Sequence, residues 1–449
     1  MNGLTMTPPI GHVKTVLICA VLILFLAGKG VAATYDYINI SDPFHKRIPL
    51  AVPVPVSLSD DRETEQIAAS VAGLMAQSLE FTGYFTLIDR RAFLDAPGKQ
   101  GITAREVNFK NWRDIGSELL ITGGVRLEGR VLQLEFRLFD PFRQELVFGK
   151  RYTGEVSDVR QMVHRFCDEM INRLTGNFGI FNTKIAFVSE TEAGKMLYEC
   201  DFDGENLRRL TGGGNIVLSP SWSPDGRYLA YTSYKQDKPD IYVRSMATGT
   251  ERLLAGYEGL NITPAWMPPD GSRIAATLSF EGDEEIYLLT DTGKIDKRLT
   301  RSWGVDVSPS FSPDGKKMAF VSGRAGSPQL YVMDLATGRT SRLTFEGRYN
   351  TQPSWSPNGD KIAYSGMSGG TSDIFVINAE GGQLRQLTSD SGRNESPSWS
   401  PDGNMIVFSS TRGGDSGIYV MTASGADQRQ IVSMPGNQSL PAWSPVLEP

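Results

Sequence analysis

Two short stretches of this 449-residue chain have the residue types of hydrolase motifs. Gly366–Gly370 reads GMSGG and fits G-x-S-x-G, and Gly414–Gly417 reads GDSG. The first pattern sets a serine nucleophile on a sharp strand-to-helix turn. Both stretches lie between two strand-like runs, and no helical pattern follows either. A serine nucleophile also needs a histidine base. The chain has three histidines, and without the N-terminal leader described below only His45 and His164 remain, both far upstream. No residue is therefore assigned as catalytic. No phosphate-cradling glycine loop, zinc spacing or haem motif occurs, so neither a metal nor a cofactor is expected. The acidic run Glu281–Glu285 reads as a solvated loop.

The elements around these stretches form a repeat. PSWSPDG at Pro220 returns as PAWMPPDG at Pro264, PSFSPDG at Pro309, PSWSPNG at Pro353 and PSWSPDG at Pro397, and a truncated PAWSP begins at Pro441. The intervals are 44, 45, 44, 44 and 44 residues, the 45 arising from the extra proline of MPPDG. Each full copy leads into an alternating run such as YLAYTS or KMAFVS. A Gly/Ser loop follows, then a second run such as IYVRS or LYVMD, a glycine turn, and a third run such as RLT or QLT. Short β-branched and aromatic runs divided by Gly, Pro, Asp and Asn predict antiparallel strands, four per unit. A period of about 44 residues with four strands predicts a propeller blade.

The ends of the array fix the blade number. The chain enters at Lys184 with KIAFVS, already in second-strand register, and finishes on PAWSP, a first strand with nothing after it. Each end supplies what the other lacks, so five whole units and one composite predict six blades with no free sheet edge. Within the phrase, Trp222, Trp266, Phe311, Trp355, Trp399 and Trp443 are placed to wedge between blades. Pro-Asp-Gly has the chemistry of a tight turn. The phrase is scaffold.

Candidate binding residues lie just upstream of it. Three residues before each proline stand Asn261, Asp306, Asn350, Asn394 and Gln438, with Val217 in the sixth place. Two readings stay open: turn chemistry, or a polar ring at the channel mouth that hydrogen-bonds a protein loop or peptide.

The rest of the chain divides as follows. Residues 1–33 carry a fifteen-residue apolar run, Val13–Ala27, and small residues Val31 and Ala33 before Thr34, which predicts a cleaved signal peptide; an uncleaved anchor is the alternative. Residues 34–46 have no helical pattern and read as a loosely docked arm. Residues 47–179 read as an α/β domain, with strand IPLAVPVPV, a helix over Glu63–Glu80, strands in TGYFTLIDR, ELLITGGVRLEGRVLQLEFRLFD and ELVFGKRYTGEV, and a helix over Val159–Leu174 closed by Gly176. Residues 180–449 make the propeller. The overall class is mainly β, a six-bladed β-propeller of four-stranded antiparallel blades preceded by a small α/β domain. Cys167 and Cys200 read as buried free thiols rather than a disulfide. With 40% apolar and 21% charged residues, a net charge of −6 and no basic stripe, nucleic acid is excluded as a partner.

A signal peptide, a small α/β domain and six repeats of this kind together resemble the TolB family, periplasmic propeller proteins of the Tol–Pal system. The similarity covers residues 34–449. It rests on TGYF…LIDR after the first helix, ELLITGGV with its hairpin, RLTG before the linker, then KIAFVS, and closure by PAWSP. Prolyl-oligopeptidase-type peptidases share SPDG repeats, but no length is left for their hydrolase domain. The resemblance implies non-catalytic protein binding that supports outer-membrane integrity and constriction at cell division. It implies that the Pal lipoprotein binds at the propeller mouth, with other outer-membrane lipoproteins as further candidates, and that the TolA C-terminal domain binds the N-terminal arm. By position, the mouth residues are Leu260, Asn261, Thr263, Asp306, Val307, Asn350, Gln352, Asn394 and Gln438. The arm residues are Thr34, Tyr35, Asp36, Tyr37 and Ile38. Family mouths carry a histidine in the loop matched by Leu260, and this chain has none there. The alternatives are a secreted peptidase-like propeller hydrolase and a propeller that binds another envelope ligand.

Overall fold

The computed structural model describes residues 47–59, 61–192 and 194–447, and all of them belong to one compact unit. The leader 1–33 and the arm 34–46, with Thr34, Tyr35, Asp36, Tyr37 and Ile38, lie outside the described residues. The run IPLAVPVPV forms strand β1 (Ile48–Ala51) and then the short β2 (Val56–Ser57). Pro53 and Pro55 lack the N–H that a ladder needs, so the single strand expected from sequence is two. Asp61 caps helix α1 (Arg62–Phe81), its Oδ1 accepting the Thr64 N–H at 2.7 Å. Next come β3 (Phe85–Leu87) and a six-residue helix α2 (Phe109–Asp114) that the sequence reading missed. Strands β4 (Leu119–Glu128), β5 (Val131–Asp140) and β6 (Glu145–Gly154) follow. Helix α3 (Val159–Thr175) stops at Gly176, whose φ of 77° suits glycine.

The sheet order is β3-β1-β4-β5-β6, with β2 beside β4. Leu132, Leu134, Phe136 and Leu138 alternate along β5 and are fully buried with Val71, Met75 and Leu79 of α1 and Val163, Phe166 and Met170 of α3. Phe139, the next residue of β5, faces the opposite side by strand alternation and joins a second cluster with Phe109 and Trp112 of α2.

Six four-stranded antiparallel sheets follow. Blade one is composite: Asn437–Trp443 lies innermost beside Lys184–Thr191, then Gly194–Asp201 and Arg208–Arg209, with Trp443 opposite Ile185. Blades two to six begin with the inner strands Val217–Trp222, Asn261–Trp266, Asp306–Phe311, Asn350–Trp355 and Asn394–Trp399. The aromatics fill the space between blades: Trp222 packs with Ala186 and Val188 of blade one, and Trp266 with Ala230 and Val243 of blade two. Three indole N–H groups, from Trp222, Trp266 and Trp399, donate at 3.1 Å to inner-strand carbonyls of the preceding blade. In the SPDG turn of blade two, Gly226 N–H donates to Ser223 O at 2.9 Å. Asp225 Oδ1 accepts from Ser223 Oγ at 2.6 Å and from the Arg227 N–H at 3.0 Å.

The α/β domain sits on the face of the propeller that carries these turns. Tyr84 donates to Asp402 of the blade-six turn at 3.2 Å, and Arg429 donates to Phe81 O at 2.6 Å. Arg160 of α3 holds Asp203 at 2.8 Å and Asp201 at 3.2 Å in a hairpin of blade one. Phe202 of that hairpin meets Phe81, Phe181 and His164 with ring centroids 5.0, 5.2 and 5.4 Å away. Burial among these rings, helped by Arg160, pushes His164 down to about 4, while burial pushes the Asp168 carboxyl up to about 7 against the Phe181 N–H that it accepts. Cys167 and Cys200 are free, buried thiols, and burial raises both.

Candidate functional site at the propeller rim

The opposite face is the rim, where each outer strand passes into the next inner strand. There the six inner strands share one irregularity. Their pairing shifts register around the residue that precedes the repeat proline, as between Leu218 and Ser221 or Thr351 and Ser354. That residue is left-handed in every blade: Ser219, Thr263, Ser308, Gln352, Ser396 and Leu440 have φ between 49° and 59°. None is glycine, so each position costs on the order of 1 kcal/mol. A proline next in line already disfavours the right-handed region, and the bulge turns the six residues toward the axis. With their prolines they line a cavity of about 160 Å³ at the mouth of the channel. A wider cavity of about 460 Å³, lined by the Pro-Ser-Trp-Ser-Pro segments, follows at the other end.

The residues three before each proline do something else. Asn261, Asp306, Asn350, Asn394 and Gln438 are at most 2% exposed, and Val217 is buried in the same way. They do not face the channel; they tie each rim loop down and fasten one blade to the next. Asn350 Nδ2 donates to Gln329 Oε1 of the preceding blade at 2.9 Å and to Glu346 O of its own loop at 2.8 Å. Asn394 reaches Asp373 at 3.0 Å, and Asn261 reaches Asp240 at 3.3 Å. Gln438 donates to Gly436 O at 2.7 Å. Of the two open readings, the side chains follow turn chemistry. Among the other residues expected at the mouth, Thr263 and Gln352 line the cavity; Leu260 and Val307 do not and are half-buried, Val307 against the core between blades four and five. Ser219, Ser308, Ser396 and Leu440 were missed, although the repeat marks them: each directly precedes its proline.

Blade three departs from the pattern. Glu285, expected in a solvated loop, is fully buried, because it opens the third strand and accepts the Ser302 N–H at 2.6 Å. Its partner position holds Asp306 where three other blades hold asparagine, so two buried carboxylates replace an acceptor and an amide donor. Glu285 Oε2 and Asp306 Oδ1 lack a hydrogen-bond partner. Arg298 and Arg324 bind the other oxygens at 3.2 and 2.7 Å. Burial, reinforced by Glu285, raises the Asp306 carboxyl above its usual range, although Ser322 and Arg324 pull it down. A raised carboxyl means that the native state holds the proton longer than the unfolded chain. Stability therefore falls as pH rises from the unfolded value near 3.8 through the raised native one. Asp306→Asn removes that loss and is expected to stabilise the protein at pH 7.5 by about 1 kcal/mol, with no gain below pH ~4. Urea titrations at both pH values check this; a variant less stable than the parent at pH 7.5 rejects it.

The hydrolase-like stretches have structural roles. Residues 366–370 end one strand and turn directly into the next, with Gly369 and Gly370 at the turn, and no helix follows. Ser416 Oγ donates to Gln438 O at 2.8 Å. His164 is buried far from both, with Nε2 3.1 Å from Ser78 Oγ. Among the described residues no helix is long and apolar enough to cross a membrane. No group of three or more His, Cys, Asp or Glu side chains among them could hold a metal ion.

Comparison with known proteins follows the same two parts. Residues 36–147 match the TolB amino-terminal domain, and residues 171–447 match the TolB beta propeller domain. A Desulfosudis oleivorans protein named Tol-Pal system protein TolB is 52% identical over 291 residues, 65% of this chain and 66% of that one. A TolB homolog of Chlorobium chlorochromatii is 42% identical over 301 residues, 67% of each chain. The chain thus spans about two thirds of the length of these relatives. The crystal structure of TolB from Acinetobacter baumannii is similar with a TM-score of 0.78 at 28% identity, covering 89% of this chain and 97% of that one. With its propeller domain matched over more than half its length, the chain belongs to the TolB family.

Proposed function

We propose that this chain is a non-catalytic periplasmic interaction module of the Tol–Pal system. It takes the Pal lipoprotein on its rim face and the TolA C-terminal domain through residues 34–43, in support of outer-membrane integrity and cell constriction. The observation that carries the reading is the placement of the α/β domain. It occupies the turn face, so among the described residues the rim and its channel mouth stay uncovered. The rim loops are held by internal hydrogen bonds from Asn261, Asn350, Asn394 and Gln438, which pre-organises a surface for a folded partner. The names of the relatives support the system, and the leader 1–33 supports export.

Calorimetric titration of the mature chain with soluble Pal and with the TolA C-terminal domain, both from the same genome, tests the proposal. Deleting residues 34–43 is expected to abolish TolA binding and to leave Pal affinity within about twofold, since a change that small is below 0.5 kcal/mol. Unchanged TolA binding removes the arm from the proposal, and absence of Pal binding by the intact chain removes the rim.

A further inference from the structure

Of the six positions that stand three before each repeat proline, only Asp306 can ionise; Val217, Asn261, Asn350, Asn394 and Gln438 cannot. Blade six shows what an amide does there. Arg412 lies over Phe408 and Tyr419, 5.3 and 4.9 Å from the ring centres, and donates to Asn394 Oδ1 at 2.9 Å. Asn394 Nδ2 then donates to Asp373 Oδ1 of the preceding blade at 3.0 Å. Blade four repeats this relay one hydrogen short. Arg324 lies over Phe320 and Tyr331 at 5.5 and 4.9 Å and donates to Asp306 Oδ2 at 2.7 Å. Glu285 opens its strand at the register of Asp373, yet an ionised Asp306 has nothing to donate to it. Asp306 Oδ1 and Glu285 Oε2, on two fully buried residues, are the atoms left over.

The charged groups around the pair leave those two oxygens alone. Arg298 binds Glu285 Oε1 at 3.2 Å and is shared with Glu281, which also accepts the Tyr287 hydroxyl at 3.1 Å. Glu284 accepts the Asp306 N–H on its backbone oxygen at 2.8 Å, and Asp283 and Arg301 point into solvent. Ser322 and Arg324 favour an ionised Asp306, but burial outweighs them and Glu285 adds to it, so the carboxyl is held above its usual range. What the pair secures is the loop entering blade four. Glu285 Oε1 accepts the Ser302 N–H at 2.6 Å, and Ser302 Oγ donates to Gly304 O at 2.7 Å. Gly304 lies so close to Gly323 and Arg324 that a Cβ there would come within 3.1 Å of both. The same loop holds Trp303 out in solvent, 74% exposed.

We propose that Asp306 is a carboxylic acid in the folded protein, donating from Oδ1 to Glu285 Oε2, and that this proton is a latch on the rim loop 301–305. Protonated, Asp306 does what Asn394 does: it accepts from an arginine and donates to the carboxylate of the preceding blade. When the proton leaves to water, two buried carboxylate oxygens face each other without a hydrogen between them. Glu285 relieves the repulsion by moving off, and the Ser302 N–H loses its acceptor. The contribution of a raised carboxyl is complete below its unfolded value and is lost as pH rises through the native one. Loop 301–305 is therefore ordered in acid and loosened toward alkaline pH. The loop of Phe345 and Tyr349, tied by the Asn350 amide to Gln329 and Glu346, has no such proton to lose.

Hydrogen exchange of the mature chain, read by mass spectrometry at pH 4.5 and pH 8 and corrected for the intrinsic pH dependence of exchange, tests the latch. Protection of the peptide that spans residues 300–305 is expected to fall at least about tenfold between the two. The loop 345–349 is the internal control and should keep its protection within about twofold. Asp306→Asn and Glu285→Gln each put an amide hydrogen back between the two side chains, so each should hold the loop 300–305 protected at pH 8. Thermal unfolding identifies the variants that fold, and the parent alone already decides the first point. Constant protection of the parent loop overturns the latch. So does an equal fall in loop 345–349, which makes the loosening global, or a fall that persists in either folded variant, which places the titrating group elsewhere.

Discussion

Trp443→Ala is expected to lower the unfolding free energy by about 3–5 kcal/mol, the cost of truncating a buried tryptophan. Two losses combine there. The indole is 6% exposed and belongs to the core that joins blades six and one, so its removal leaves a cavity where the ring closes. Its N–H donates to Thr183 Oγ1 at 2.9 Å, and both atoms are buried. The strand that carries it, Asn437–Trp443, pairs with the first blade strand Lys184–Thr191, and Ser444 just beyond it exchanges hydrogen bonds with Lys184 at 2.8 and 2.9 Å. Denaturant titration measures the loss, and limited proteolysis should release the C-terminal strand before any cut elsewhere in the propeller. A variant within 1 kcal/mol of the parent would show that closure does not depend on this wedge.

Phe202→Ala should cost a similar amount, about 3–5 kcal/mol, through a different route. Phe202 is fully buried in a hairpin of blade one, yet its ring contacts Phe81 of α1, His164 of α3 and Phe181 of the linker. Its loss loosens the seat of the α/β domain and admits water to His164. In the parent, His164 is held near 4 by burial, so the native state binds fewer protons than the unfolded chain below pH 6.5. The stability it contributes is complete above pH 6.5 and is lost as pH falls toward 4. In Phe202→Ala the imidazole should titrate closer to 6.5, as NMR of the ring protons would read, and the decline of stability over that window should shrink. An unmoved His164 titration would falsify the claim that Phe202 shields it.

Much of the fold was legible because the repeat states it six times. A spacing of 44 residues, alternating runs, a first unit that lacks its inner strand and a last strand that stands alone define blades, closure and wedge aromatics without reference to any contact. The helices α1 and α3 were legible for a similar reason, since apolar residues recur at helical spacing and Gly176 marks an end. Helix α2 was not, because six residues from Phe109 to Asp114 carry too little periodicity to register. In the rim loops, the depth of the residues three before each proline was not legible. Asparagine before a turn is equally at home capping that turn and facing a channel, and the choice depends on which way the bulge before each proline turns the chain. Asn350 shows the consequence: its amide satisfies Glu346 and Gln329, and the residue two places on, Gln352, lines the mouth instead. The exposed Trp303 and Phe345 were passed over because single aromatics in loops carry no pattern. Glu285 was misplaced because an acidic run looks uniformly solvated, while a strand that begins on its last residue takes that residue inside.

The closing pair Ile185 and Trp443 has a bearing on the order in which the protein is made. These residues face each other in one sheet but are separated by most of the propeller sequence. During synthesis, strand Lys184–Thr191 is made early and must wait, with one edge bare, until strand Asn437–Trp443 has been made. Loop-closure entropy of that size makes the joining step slow compared with the formation of any single blade. The bare edge is meanwhile a template for pairing with other chains. Assembly of the ring thus doubles as a length check: a chain that breaks off before Asn437 can build five blades and still lack the piece that locks them.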